Sequence, residues 1–206
     1  MIILSLKNKN FYVAMDFDKT ITSSDSVDSW AAVAQAEFVG QELGKKMDEL
    51  YNKYRPIEVD YSISEDEKKK YIEEWYKSCM DLYYKCNLDK DKMTKSIQST
   101  NMTFRSGAKE FLELMYKNDI PVIVLSAGIG NAIEQFLKDN NCLFKNMYII
   151  SNFIEFDENG KAKKFDNSKI IHTLNKNMRG HLPREFEEKL SNKEYRLLIG
   201  DLIEDI

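Results

Sequence analysis

Four short apolar runs constrain this chain more than anything else in it: Phe11 to Met15, Val122 to Leu125, Met147 to Ile150 and Leu197 to Ile199, each closing on small or acidic residues. Runs this short that stay apolar on successive residues read as strands covered on both faces, which is the habit of parallel sheets. The segments between them carry a helical period, as in Ala108 to Tyr116 before the second run and Asn131 to Leu137 after it. Strand and helix in alternation predict an α/β core, a Rossmann-like doubly wound parallel sheet.

The alternation stops between about Asp25 and Met102, where Lys, Glu, Met and aromatic residues fall at spacings that suit amphipathic helices. This stretch, residues 25–102, is expected to be a helical insert, leaving 1–24 and 103–206 as a discontinuous core. Pro56 lacks a donor and biases Arg55 away from helix, so it is expected to break the insert into two helical parts. Around Asn159-Gly160, with Phe153, Ile154 and Phe156 before and Phe165 after, the pattern predicts a hairpin closed by a tight primed turn.

Composition narrows the function classes. In 206 residues, 30 basic side chains stand against 34 acidic ones, and no long basic run is interleaved with aromatics, so nucleic acid is not an expected partner. The apolar opening Met1 to Leu6 is too short for a membrane span or a signal peptide, and a cytoplasmic protein is expected. Cys79, Cys86 and Cys142 are odd in number and lack CxxC spacing, which argues for reduced packing residues over a disulfide framework or zinc site.

The chemistry concentrates where strands end. Asp16-Phe17-Asp18-Lys19-Thr20-Ile21-Thr22 follows the first run directly, at the place where open α/β sheets bind ligands. Two aspartates one residue apart can put a nucleophile at phosphorus and a general acid/base at the leaving oxygen. Ser126-Ala127-Gly128-Ile129-Gly130 follows the second run and precedes a helix, a place for a hydroxyl and backbone N–H groups to cradle phosphate. A phosphoryl group in transit needs cationic neutralisation, for which Lys176 is the candidate. Asp201 in Gly200-Asp201, beside Asp16 at a neighbouring strand end, would complete an oxygen-rich magnesium site.

In this order the four elements resemble the four motifs of haloacid dehalogenase superfamily phosphatases. Further along, Tyr54 to Asp60, Glu74-Trp75-Tyr76, Ser126 to Gly130, Ser151-Asn152-Phe153, Ile171-His172 and Asn175-Lys176 resemble the cytosolic pyrimidine 5′-nucleotidase family, over nearly the whole chain from Phe11 onward. The resemblance implies Asp16 as the nucleophile that becomes an aspartyl phosphate, Asp18 as acid/base, and Lys176 as the lysine steadying both nucleophile and phosphate. It implies phosphate binding by Ser126, Ala127 and Gly128. Mg²⁺ would be held by Asp16, the Asp18 carbonyl and Asp201, with Asp205 near the metal. The insert becomes a cap, with Glu58 and the Trp75-Tyr76 region facing the substrate or, for the aromatics, forming cap core. The segment Ser23 to Trp30 departs from the family's animal members and looks more like phosphoserine-phosphatase-type relatives. His172 is expected to pack or hydrogen-bond, and Lys19 and His181 have no assigned role.

These readings lead to a magnesium-dependent phosphomonoesterase acting on a small molecule, with nucleoside 5′-monophosphates as the expected substrates. The alternatives are a phosphatase of a phosphoamino acid or sugar phosphate, and a non-catalytic phosphate- or nucleotide-binding protein; the paired Asp16 and Asp18 argue against the latter. Oligomeric state is not readable. Because the chain stops at Ile206, seven residues after Ile199, the domain is expected to be incomplete and its last strand a flat apolar edge. A version extended by a further helix and strand is expected to be more stable, less prone to aggregate and more active.

Overall fold

The structure, a computed structural model, describes residues 10–177 and 181–201. In chain order its elements are β1 (Phe11–Met15), α1 (Ser29–Val33), α2 (Ala36–Val39), α3 (Gln41–Glu58), α4 (Glu65–Lys85) and α5 (Lys90–Ser99). There follow α6 (Ala108–Lys117), β2 (Val122–Ile129), α7 (Gly130–Asp139), β3 (Met147–Asn152), α8 (Arg184–Ser191) and β4 (Tyr195–Ile199). The strands make one parallel sheet in the order β3-β2-β1-β4.

Alternate residues of the strands serve two cores, as the period of two requires. Val13, Met15, Val122 and Val124 pack with Leu112 of α6 and with Ile133, Phe136 and Leu137 of α7. On the opposite face Ala14, Ile123 and Ile150 pack with Ile171 and with Phe186 of α8. Helices thus lie on both faces, giving the doubly wound α/β arrangement expected from the apolar runs. Three runs are longer than the sequence suggested, β4 because it begins at Tyr195, two residues before Leu197. β2 continues through Ser126 to Ile129, with a register irregularity against β3 between Leu125 and Ile129, and β3 continues to Asn152.

Between β1 and β2 the chain forms helices and isolated bridges. The strands of chain leading into and out of this region run side by side: Ser23 N–H donates to the Thr103 carbonyl (2.9 Å), and Thr22 bridges Phe104. Ser64 caps α4, whose first turn carries Glu65, Asp66 and Glu67, where carboxylates complement the helix dipole. Leu43, Ile72, Tyr76, Met80, Tyr83, Met93 and Ile97 bury the helices against one another and against Ala32 and Val33.

Two local expectations need correcting. Pro56 does not divide the insert at its own position; it lies in the last turn of α3, which runs on to Glu58. So near the helix end the missing donor costs one backbone bond, Tyr54 beside it is fully buried, and Lys68 Nζ donates to the Glu58 carbonyl at 2.9 Å. The turn at Asn159-Gly160 is not a primed one, since Gly160 has φ +71° while Asn159 is absent from the residues with positive φ. Gly160 N–H donates to Asp157 O (3.0 Å) and Asp157 N–H to Lys161 O (2.8 Å), a type I turn followed by a left-handed glycine, with Phe156 bridging Ala162. Among the described residues no helix is long and apolar enough to cross a membrane.

Candidate active site

The carboxyl ends of β1 and β4 are level, Met15 standing opposite Ile199, and Asp16 N–H donates to Ile199 O at 2.9 Å. Asp16 therefore leaves the central strand beside Gly200 and Asp201. Its Oδ1 meets Lys176 Nζ at 2.6 Å, with the two side chains only 10% and 11% exposed.

Lys176 is brought there by a segment fixed on several sides. Ile171 N–H donates to Asn152 Oδ1 (2.9 Å) and Asn152 Nδ2 donates to Ile171 O (2.8 Å), so one buried amide reads both backbone groups of a single residue. Asn175 closes the turn before the lysine, Oδ1 accepting from His172 N–H (2.7 Å) and Nδ2 donating to Ile170 O (2.9 Å). The His172 ring is buried, accepts from Leu174 N–H through Nδ1 (3.2 Å) and meets the Tyr76 ring edge-on. Burial holds its pKa below the ordinary 6.5. His172 thus packs and hydrogen-bonds, as expected.

Asp18 sits in a different environment. Its Oδ1 accepts from Ser29 N–H at 2.9 Å and its Oδ2 from Ser29 Oγ at 2.6 Å. Burial pushes its carboxyl up to about 7, opposed by the Ser29 hydroxyl and reinforced by the charges of Asp28 and Asp16. The loop that follows is held by Arg105, which donates to the carbonyls of Lys19 and Thr20. It bends at Lys19, whose φ is +62°. Thr20 Oγ1 donates to Asp201 Oδ1 at 3.2 Å, tying the β4 end to the same loop.

The Ser126 segment lies at the end of β2. Asn152 Nδ2 (3.0 Å) and Trp30 Nε1 (3.2 Å) donate to the Ala127 carbonyl, and because the peptide is trans the Gly128 N–H points the other way, donating to Ser126 Oγ at 3.0 Å. Ser151 Oγ donates to Gly128 O at 2.9 Å. A Cβ on Gly128 would stand 1.9 Å from Ser29 Oγ, 2.9 Å from Asp18 Oδ2 and 3.1 Å from Ser126 Oγ. The missing side chain is what lets these three groups converge.

Glu58 stands at the C-terminal turn of α3, its carboxylate accepting from Arg55 and from Thr173 Oγ1 (3.3 Å). It therefore touches the segment that delivers Lys176. Trp75 stacks on Tyr54 with centroids 6.0 Å apart, and Tyr76 meets Trp30 edge-on at 5.3 Å. Both aromatics belong to the core of the helical region. So Asp16, Asp18, Ser126, Gly128, Lys176 and Asp201 are gathered at one end of the sheet, with Glu58 on its helical side. Among the described residues no three His, Cys, Asp or Glu side chains cluster for a metal. The donor set inferred from the sequence has only two carboxylates, Asp16 and Asp201, plus the Asp18 carbonyl. Hard oxygen ligands of this kind, at adjacent strand ends, fit Mg²⁺. Asp205 lies outside the described residues. Sequence reading assigned no role to Ser29, Asn152 or Arg105, although Ser29 stood in the segment Ser23 to Trp30 and Asn152 in Ser151-Asn152-Phe153, both singled out beforehand.

Fold and relatives together place the chain in a class, the phosphatases of the haloacid dehalogenase type, which are phosphoric monoester hydrolases. Within that class it belongs to the pyrimidine 5′-nucleotidase (UMPH-1) family, whose pattern matches residues 18–206. It is 28% identical over 199 residues to 7-methylguanosine phosphate-specific 5′-nucleotidase A of Xenopus laevis, covering 94% of this chain and 68% of that protein. It is 33% identical over 168 residues to putative cytosolic 5′-nucleotidase 3 of Caenorhabditis elegans, covering 80% of this chain and 44% of that one. Among solved structures, cytosolic 5′-nucleotidase IIIB bound to cytidine superposes with TM-score 0.81 at 27% identity, over 96% of this chain and 68% of that chain. A haloacid dehalogenase family hydrolase from Salmonella enterica serovar Typhi shares the fold at TM-score 0.51 and 13% identity, over 75% of this chain and 44% of its own.

Proposed function

We propose that this chain is a cytosolic, magnesium-dependent phosphomonoesterase that hydrolyses nucleoside 5′-monophosphates through an aspartyl phosphate on Asp16, with residues 25–102 as its cap. The observation that carries the reading is the buried Asp16–Lys176 pair with Asp18 two residues on, in an environment that raises its pKa to about 7. The names of the relatives in the family supply the substrate class. Those names speak of a pyrimidine 5′-nucleotidase and of 7-methylguanosine phosphate, so both kinds of base belong in the assay.

Asp16 attacks phosphorus and the bond to the nucleoside 5′-oxygen breaks. Asp18 gives its proton to that departing oxygen, then takes one from the water that attacks the aspartyl phosphate, releasing phosphate and restoring Asp16. A carboxyl titrating near neutrality suits both transfers. Lys176 keeps the attacking oxygen of Asp16 oriented and neutralises charge on the phosphoryl group. Ser126 Oγ and the backbone N–H groups of Ala127 and Gly128 receive the phosphate, exchanging the Ser126–Gly128 bond for bonds to its oxygens. Asp16, Asp201 and the Asp18 carbonyl would hold Mg²⁺, which when bound neutralises phosphoryl charge and fixes its orientation. Glu58 contributes from the cap to the nucleoside end.

The test is phosphate release from a panel of nucleoside 5′-monophosphates, phosphoserine and a sugar phosphate, with and without magnesium. Nucleotides are expected to lead, magnesium to be required, and Asp16→Asn to lose activity by at least about a thousandfold, since an amide does not attack phosphorus. Comparable turnover by Asp16→Asn, or a panel led by phosphoserine, would refute the mechanism or the substrate class respectively.

A further inference from the structure

Ser29 is the first residue of α1, fully buried, and is the meeting point of three separate stretches of chain. Its N–H and Oγ–H occupy the two carboxylate oxygens of Asp18, at 2.9 and 2.6 Å. Its Oγ also accepts from Ile129 N–H, at the end of β2, at 3.2 Å. A hydroxyl is suited to this junction because one atom must donate to a carboxylate and accept from an amide at once. Gly128 leaves the space for it, since a Cβ there would stand 1.9 Å from Ser29 Oγ. The helix carrying Ser29 is seated by its own bonds: Asp28 Oδ1 accepts from Ala31 N–H (2.8 Å), and Trp30 Nε1 donates to Ala127 O (3.2 Å). Two donors on one carboxylate fix the rotation of its plane as well as its position.

We propose that Ser29 is a positioning residue for the acid/base, holding the Asp18 carboxylate in register with Asp16 and making that alignment depend on the seating of α1 against the end of β2. The inference rests on the reading of Asp18 as acid/base. It assigns a function to Ser29, with Asp28 and Trp30 seating the helix that carries it. It also accounts for Gly128 by something other than phosphate binding.

A positioning role has a signature that a folding role lacks. With an aryl phosphate the first step, phosphorylation of Asp16, needs little help from an acid, whereas the second needs Asp18 to activate water. Misaligning Asp18 therefore slows the second step and spares the first. The measurement is rapid-mixing kinetics of the full chain with magnesium and p-nitrophenyl phosphate, alongside steady-state turnover of a nucleoside 5′-monophosphate. Ser29→Ala is expected to keep a burst of about one nitrophenolate per enzyme at near wild-type rate, with steady-state turnover on both substrates down on the order of ten- to a hundredfold. KM for the nucleotide should change little. Ser29→Thr, which restores the hydroxyl, should recover turnover, and Ser29→Cys, which keeps most of the volume and weakens the donor, should resemble Ser29→Ala. Loss of burst and steady state together, or of neither, overturns the proposal, and if Ser29→Ala fails to fold the same criteria apply to Ser29→Cys. Asp18→Asn run in parallel separates the two readings. If it is slow while the Ser29 variants are not, only the role of Ser29 falls; if it turns over like wild type, the acid/base reading falls and takes this proposal with it.

Discussion

Asp18 is a carboxyl whose surroundings oppose its charge, and that has a consequence for folding as well as for catalysis. Its pKa lies at about 7 in the folded protein, against an ordinary value of 3.8. Between those values the folded protein holds a proton that the unfolded chain has released, so this group's effect is to lower stability as pH rises through that window. The penalty is absent below the unfolded value and complete above the folded one. With magnesium chelated, the wild type should lose stability between about pH 4 and about pH 7 relative to Asp18→Asn, which has no proton to lose there. Urea unfolding of both proteins across that range checks it, and parallel curves would contradict the raised pKa. His172 acts in the opposite sense, since burial holds it below 6.5 and its contribution is lost as pH falls through that value. It is common to both proteins and drops out of the comparison. The placing of Asp16 and Asp18 was legible in the sequence because the pattern is local, two aspartates at the end of an apolar run. Ser29 was not, because serine is ordinary at a helix start and its partners stand 11 and 100 residues away.

At the scale of elements, the sequence located the strands and misjudged their ends. β2 was expected to stop at Leu125 because small residues follow it, yet the backbone stays extended through Ile129, where β3 and the Asn152 amide continue to hold it. Propensity sees the glycines; it does not see the neighbouring strand. The same limit explains Pro56, where packing of Tyr54 and the Lys68 contact carry α3 one turn further than a proline alone suggests. α7 begins at Gly130, and the Phe153 ring lies against that position, with ring atoms 2.5 Å from where a Cβ would stand. Gly130→Ala should therefore destabilise the fold by about 1–3 kcal/mol through overpacking of a stiff ring. Phe153→Leu in the same chain should return part of that loss. Thermal unfolding of the two single variants and the double variant checks this, and strictly additive effects would place the strain elsewhere.

At the scale of the whole molecule, the sheet is covered unevenly. β1 lies between β2 and β4 and its residues Val13, Ala14 and Met15 are buried, while among the described residues β4 pairs with β1 alone and forms one edge of the sheet. The apolar run Leu197 to Ile199 suggested a strand covered on both faces; in the described structure Leu198 packs against the core of Ala14, Ile123 and Phe186 and Ile199 against the α6–α7 core, whereas Leu197 is 41% exposed and Tyr195 67% exposed. An apolar edge of this kind offers backbone donors and acceptors next to side chains that gain by leaving water, which is the usual template for strand-to-strand association. Positive charge on such an edge opposes pairing of two copies, because the same residue would be brought near itself across the new contact. Leu197→Lys should therefore slow aggregation of the 206-residue chain on mild heating while moving its unfolding midpoint little, because the side chain it replaces contributes to neither core. Light scattering and thermal unfolding on the same samples separate the two effects. If Leu197→Lys aggregates as fast as the wild type at equal folded fraction, the edge of β4 is not the surface through which copies associate.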